Sequence, residues 1–165
     1  MKVLMNDKAF VDKGFSISTD KSLLDFDVIY NYLDKESYWA KGIAVEKLKT
    51  AIEHSICFGV YHQKAQVGFA RVITDQATFA YIADVFILPD FRKKGLSKWL
   101  IQTIRTYPLF QGGIRRWVLA TADAHGLYSQ FGFTAIAGAD RWMEIFTPYQ
   151  QVLKKDDNEP KEADI

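Results

Sequence analysis

Apolar positions along the chain follow two different periods, and the switch between them near residue 56 organises it. Before that point, residues 15–18 (FSIS) alternate as a short strand. Ser18, Thr19 and Asp20 then offer capping oxygens ahead of a helix over 23–33. Residues 36–42 carry the pair Tyr38-Trp39 in a loop, after which Val45, Leu48, Ile52 and Ile56 recur at helical spacing. From there the pattern becomes β-rich, with strands predicted at 57–61, 67–73 and 78–88 and turns at 62–65 and 74–77. Connections this short favour an antiparallel meander. Pro89 cannot donate to a ladder and biases Leu88 toward an extended conformation, so the third strand ends there. Beyond Gly95, Leu96, Trp99, Leu100, Ile104 and Tyr107 share one face of a helix. A strand at 117–121, a short helix at 124–131 and a closing pair of strands at 133–136 and 142–146, divided by a turn at 137–140, complete an α/β (α+β) chain.

Composition narrows this picture. A chain of 165 residues, 48% hydrophobic and 15% aromatic, buries one good core and is too short for two ordinary domains. We expect one domain over residues 1–150. Residues 151–165, with their run KKDDNEPKEADI, are expected to be a disordered charged tail. The balance of 21 Lys plus Arg against 20 Asp plus Glu leaves no broad field for nucleic acid or an anionic membrane, so any anion site must come from local placement. Nor does any stretch approach the ~20 apolar residues of a membrane span. The lone cysteine, Cys57, sits in the apolar run SICFGVY and cannot form an internal disulfide, which fits a reducing cytoplasm. Either a monomer or a homodimer is compatible with this composition.

One local placement stands out. VFILPDFRKKGLSKWL (residues 85–100) sets a buried strand, a proline, a basic turn and a glycine directly before an amphipathic helix. A helix start exposes unpaired N–H groups and the positive end of the macrodipole, which favours an anion there by ~0.3 to 1 kcal/mol. Lys93, Lys94 and Lys98 lie at or near that positive end, where bound phosphate would offset their repulsion. Gly95 lets the backbone adopt positive φ or approach a ligand closely, and Ser97 is small enough not to block it. A solvated basic turn with a chain-breaking glycine reads equally well from these residues alone. The segment has neither the GK[ST] triplet of a Walker A loop nor the GxGxxG dinucleotide fingerprint, so nucleotide hydrolysis and hydride transfer lose support.

The segment resembles the acetyl-CoA-binding signature of the GCN5-related N-acetyltransferases (GNAT): Arg or Gln, two residues, Gly, one residue, then Gly or Ala. Arg92, Gly95 and Ser97 take those places, Ser97 differing from the family residue by a small hydroxyl-bearing side chain. Downstream, AHGLYSQFGF supplies Ala124, Tyr128, Gly132 and Phe133 at the spacing of the family's A-x-x-x-Y-x-x-x-G-F helix. The resemblance runs from about residue 67 to 146. It implies a GNAT fold: a central mixed, mostly antiparallel sheet of six to seven strands with about four helices, splayed between the fourth and fifth strands.

The resemblance also implies a chemistry, acetyl transfer from acetyl-CoA to an amine without a metal. Val85, Phe86 and Ile87 would present main-chain groups to the pantetheine arm and polarise the thioester carbonyl. Arg92, Lys93, Lys94, Gly95, Leu96, Ser97 and Lys98 would wrap the diphosphate. Tyr128 would hydrogen-bond the departing sulfur. An amine of pKa ~10.4 costs ~4.6 kcal/mol to deprotonate at pH 7, so a base or a water path is needed. Asp84, which interrupts the apolar run 81–88, is the candidate; a strand aspartate can also simply pair with Arg71. Tyr38, Trp39 and Arg71 are the candidate acceptor pocket, with ordinary packing or surface roles as the alternative. Asp123 reads as a helix cap, His54 as structural and His125 as solvent-facing. A sensor that binds acyl-CoA without turnover is the alternative to an enzyme.

Overall fold

The computed structural model describes residues 7–149, which form one five-stranded mixed sheet flanked by helices. The chain begins with a single helical turn, α1 (Lys8–Val11), and runs through β1 (Phe15–Ser18), α2 (Phe26–Asn31), α3 (Val45–Glu53), β2 (Ile56–His62), β3 (Ala65–Thr74) and β4 (Phe79–Ile87). Helix α4 (Leu96–Arg105), strand β5 (Arg116–Val118) and helix α5 (His125–Tyr128) follow. Strand order matches chain order: β1 to β4 pair antiparallel, β2–β3 and β3–β4 through short turns and β1–β2 across the segment that carries α2 and α3, and β5 adds in parallel after the α4 crossover.

Alternation along the strands divides the core between the two faces. Phe58, Val60, Ala70 and Val72 pack with Leu96, Leu100, Ile101 and Ile104 of α4. Cys57 and Phe69 face the other way, toward Ile29, Leu33 and Leu48. Of the stripe predicted for α4, Leu96, Trp99, Leu100 and Ile104 are buried and are joined by Ile101, each large side chain contributing roughly 2 kcal/mol, whereas Tyr107 lies beyond the helix and is half-buried. Phe10 of α1 stacks on Trp99 with centroids 4.6 Å apart.

Several expectations need correction. Among the described residues there are five strands and five α-helices, rather than six to seven strands and about four helices. The predicted helix over 23–33 is broken into a 3₁₀ turn (Lys21–Leu23), α2 and a π-helical turn (Tyr32–Glu36), because Asp20 and then Asp25 each cap a fresh start by accepting from Ser22 and Val28 N–H groups. The closing strands at 133–136 and 142–146 do not form, and the turn between them is a 3₁₀ turn (Ala139–Arg141). Three-residue β5 is shorter than the predicted 117–121 and offers a short template for a neighbouring strand. The predicted tail over 151–165 lies outside the described residues. Among the described residues no helix is long and apolar enough to cross a membrane.

Candidate active site

Two irregularities open the sheet beside β4. Its parallel ladder to β5 covers only Phe79, Ala80 and Tyr81, so from Ile82 onward that edge of β4 has no strand neighbour among the described residues. This is the expected parting of the fourth and fifth strands. The register with β3 also slips: Arg71 faces Ala83 while Phe69 faces Phe86, which leaves Asp84 and Val85 opposite Ala70. Asp84 takes φ +54° in this bulge, a conformation a non-glycine residue adopts only when its surroundings enforce it.

Where β4 ends, a 3₁₀ turn (Pro89–Phe91) leads into the basic turn. Lys93 (φ +61°) and Gly95 (φ +83°) are both left-handed, and this pair of turns aims the chain into the start of α4. Arg92 fixes the same turn from inside, donating Nε–H to the Ile87 carbonyl at 3.0 Å and an Nη2–H to the Tyr32 hydroxyl at 2.9 Å. Tyr32 in turn stacks on Phe86 at 3.9 Å.

Between these parts lies a cleft of about 260 Å³. Val85, Phe86 and Ile87 form one side, Arg92, Lys93, Leu96 and Ser97 the end, and Leu127 and Tyr128 of the α5 region the other side. Elements far apart in sequence, segments of both motifs among them, thus converge on one cleft. Lys94, Gly95 and Lys98 do not line it. Lys94 folds back onto the Asp90 carbonyl at 3.0 Å, Gly95 acts through its backbone angle, and Lys98 is exposed on α4.

Tyr128 is 7% exposed, and burial, reinforced by nearby Tyr38, Asp123 and Tyr81, pushes its phenol up to about 12. Full proton transfer to a thiolate of reference pKa ~8.5 is then uphill by roughly 5 kcal/mol. The phenol therefore stays protonated at neutral pH, the form that can donate a hydrogen bond.

The acceptor-side residues gather around Asp84. Its carboxylate pairs with Arg71 Nε and accepts from Trp39 Nε1 at 3.2 Å, while Arg71 also donates to the Ser55 hydroxyl at 3.2 Å. The side chains of Arg71 and Asp84 are only 11% and 8% exposed. Arg71 therefore holds Asp84 rather than offering a free cation, and Trp39 alone of the predicted acceptor residues lines the cleft. Tyr38 lies at the surface and accepts a hydrogen bond from the Ala122 N–H at 2.9 Å, joining the loop after the π-turn to the approach to α5. Asp123 caps nothing; it lines the cleft, and Ala124 N–H is met by Thr121 instead. His54 is an exposed helix C-cap and His125 is exposed, and neither lines the cleft.

Comparison with known proteins identifies this arrangement. The family model described as an acetyltransferase (GNAT) domain matches residues 53–135. The chain belongs to the GNAT acetyltransferase family. It is 31% identical over 135 residues to a candidate acetyltransferase of Gibberella zeae, a match covering 70% of this chain and 76% of that protein. A crystal structure of a candidate GNAT-family acetyltransferase from Xanthomonas campestris is 47% identical, with a TM-score of 0.79, covering 82% of this chain and 94% of that one. Glucosamine-6-phosphate N-acetyltransferase from Arabidopsis thaliana is similar in fold, at 13% identity with a TM-score of 0.56, covering 80% of this chain and 97% of that one. Acyl transfer is accordingly the chemistry of this GNAT domain.

Sequence reasoning missed Tyr32, Phe91 and Leu127 in the cleft lining. Leu127, one residue before Tyr128, could have been found by placing the short helix against the strand end. Tyr32 carries no such signal: it lies inside an apparent helix, and only the π-turn and its stack on Phe86 bring it in.

Proposed function

We propose that the protein moves an acetyl group from acetyl-CoA directly to a primary amine of a small molecule or protein. The observation that carries this reading is the single cleft joining the open edge of β4, the basic turn before α4, and Tyr128. Its residues fit the cosubstrate: two successive left-handed turns aim main-chain groups at a diphosphate, and the unpaired β4 edge offers main-chain partners to an amide-bearing arm. Acetyl-CoA, when bound, supplies the activated thioester.

Each part of the chain then has a task. Main-chain N–H groups along residues 85–87 stabilise the developing oxyanion as the amine nitrogen forms its bond to the carbonyl carbon. Tyr128 donates a hydrogen bond to the sulfur as the C–S bond breaks. Asp84, held by Arg71 and Trp39, retains acceptor capacity on Oδ1 and takes the proton leaving the amine, directly or through water. Trp39 and Tyr38 border the acceptor side, and Tyr32 and Phe86 exclude water from the acyl group's path.

The test incubates the protein with acetyl-CoA and a panel of amines and follows free thiol. Cys57 adds little background, because it is buried and desolvation pushes its thiol up to about 11. Amine-dependent thiol release is expected. Measured acetyl-CoA binding with no release for any amine would refute the transfer.

A further inference from the structure

The cleft holds a carboxylate that the transfer of an acetyl group does not require. Asp123 lines the wall beside Tyr128, and among the described residues it is the one carboxylate in that lining. It is exposed and makes no hydrogen bond or ion pair among those residues. The residue before it is tied to the acceptor side, because Ala122 N–H donates to the Tyr38 hydroxyl at 2.9 Å. Trp39, edge-on to Tyr38 with ring centroids 5.0 Å apart, lines the same cleft.

The two aspartates of this region differ in state. Asp84 is already neutralised by Arg71 and has Trp39 as a second donor. Asp123 has no cation among the described residues. The surroundings are also electronegative. Burial raises the phenols of Tyr81 and Tyr128, and carboxylates add to it: Asp84 and Glu144 at Tyr81, opposed by Arg71, and, after Tyr38, Asp123 at Tyr128.

We propose that Asp123 is a specificity-determining residue that pairs with a second cationic group of the acceptor, so that the protein acetylates one end of a diamine or of another amine carrying a distant ammonium or guanidinium. This rests on the acetyl-transfer reading and names its acceptor class. The reacting nitrogen must lose a proton before it attacks the thioester carbonyl. An unpaired carboxylate against that nitrogen would stabilise its ammonium form and oppose the attack. The charge of Asp123 therefore serves a cation that stays charged from binding to release. In such an acceptor the near nitrogen gives its proton to Asp84 and bonds to the acetyl carbon as the C–S bond breaks, while the far group keeps its proton and its pair with Asp123. The Trp39 ring offers that cation, or the alkyl chain bearing it, an aromatic face. A carboxylate in place of the far cation would meet Asp123 as a like charge, which selects against amino acids as acceptors.

Three acceptors of similar length test this: 1,4-diaminobutane, 4-amino-1-butanol and 4-aminobutyrate, which are cationic, neutral and anionic at the far end. The kcat/KM for 1,4-diaminobutane is expected to exceed that for 4-amino-1-butanol by ~10-fold or more, with 4-aminobutyrate lowest. Asp123→Asn should bring the first two within about threefold of each other, and Asp123→Lys should raise 4-aminobutyrate above 1,4-diaminobutane. Because Asp123 is exposed and caps no helix, neither substitution removes a contact that holds the fold. Calorimetric titration of the diamine and the amino alcohol into the protein saturated with coenzyme A reads the same preference without turnover. Equal affinity for the two in that titration, or a preference that Asp123→Asn leaves intact, overturns the proposal. A charge-ordered titration without thiol release from any amine refutes acetyl transfer and leaves the cation site standing, whereas thiol release from all three acceptors in no charge order does the opposite.

Discussion

The two walls of the cleft are built differently. The wall of β4, the basic turn and α4 is continuous in sequence from residue 79 to 105 and rests on a helix whose Leu96, Leu100, Ile101 and Ile104 are fully inside the core. Elsewhere the lining is assembled from separate stretches: Tyr32 and Trp39 line the cleft, while Arg71, Asp84 and the Tyr38 bond to Ala122 lie outside the lining and brace that side through single side-chain contacts. The first wall derives its precision from packing and backbone angles. The second depends on individual hydrogen bonds, each worth about 1 kcal/mol when neutral and more when charged. Acceptor choice in this GNAT domain should therefore be easier to alter by mutation than cosubstrate binding.

Substitutions that strike one wall and spare the other test that contrast. Asp84→Asn has the largest expected effect: turnover per folded molecule falls by ~10²-fold or more while acetyl-CoA affinity is kept, as separate turnover and calorimetric binding measurements would show. Loss of stability with unchanged turnover per folded molecule would instead make the Arg71–Asp84 pair purely structural. Tyr128→Phe should lower kcat by ~10²-fold, with cosubstrate affinity within about twofold, because it removes a donor that matters as charge develops on sulfur. The same residue predicts a pH response. With the phenol pushed up to about 12, its donor survives beyond the usual tyrosine range, and any loss traceable to it appears only as pH rises toward 12 and is absent in the Phe variant.

Gly95→Val addresses the other wall. A β-branched side chain at φ +83° costs ~1–2 kcal/mol, so cosubstrate affinity should fall by ~10-fold while kcat at saturation changes little. The smallest effect is expected of Tyr38→Phe, which deletes the bond to Ala122 N–H. Acceptor KM should rise by less than ~10-fold, and titration of acetyl-CoA should be unaffected. Equal loss of cosubstrate binding in the Gly95 and Tyr128 variants would erase the distinction between the walls.

What was legible in the residues follows the same division. Arg92, Gly95 and Ser97 could be read because their spacing, Pro89 before them and the stripe of α4 after them are all local. Tyr128 could be read because Ala124, Gly132 and Phe133 fix its helix. Asp84 was visible as a polar break in an apolar run, and its pairing with Arg71 was one reading of that break, yet its second partner Trp39 lies forty-five residues away, and only the bulge at φ +54° decides where its carboxylate points. The predicted strand at 142–146 failed for a complementary reason. Alternation states that a segment can be a strand, but not that it pairs: residues 142–146 make no ladder although β5 is an edge strand whose Arg116 lies over Trp142.

By itself, then, the sequence determined the elements whose physics is short-range: the strands of the meander, most of the α4 stripe, the capping oxygen at Asp20, and the glycine that must turn left-handed before a helix. The tertiary structure decided what depends on long-range register. It slipped β3 against β4 by one residue, parted β4 from β5 after Tyr81, carried Tyr32 onto Phe86, and left residues 143–146 outside the sheet. Periodicity reports the environment of each residue, whereas register and pairing depend on which distant surfaces compete to bury it.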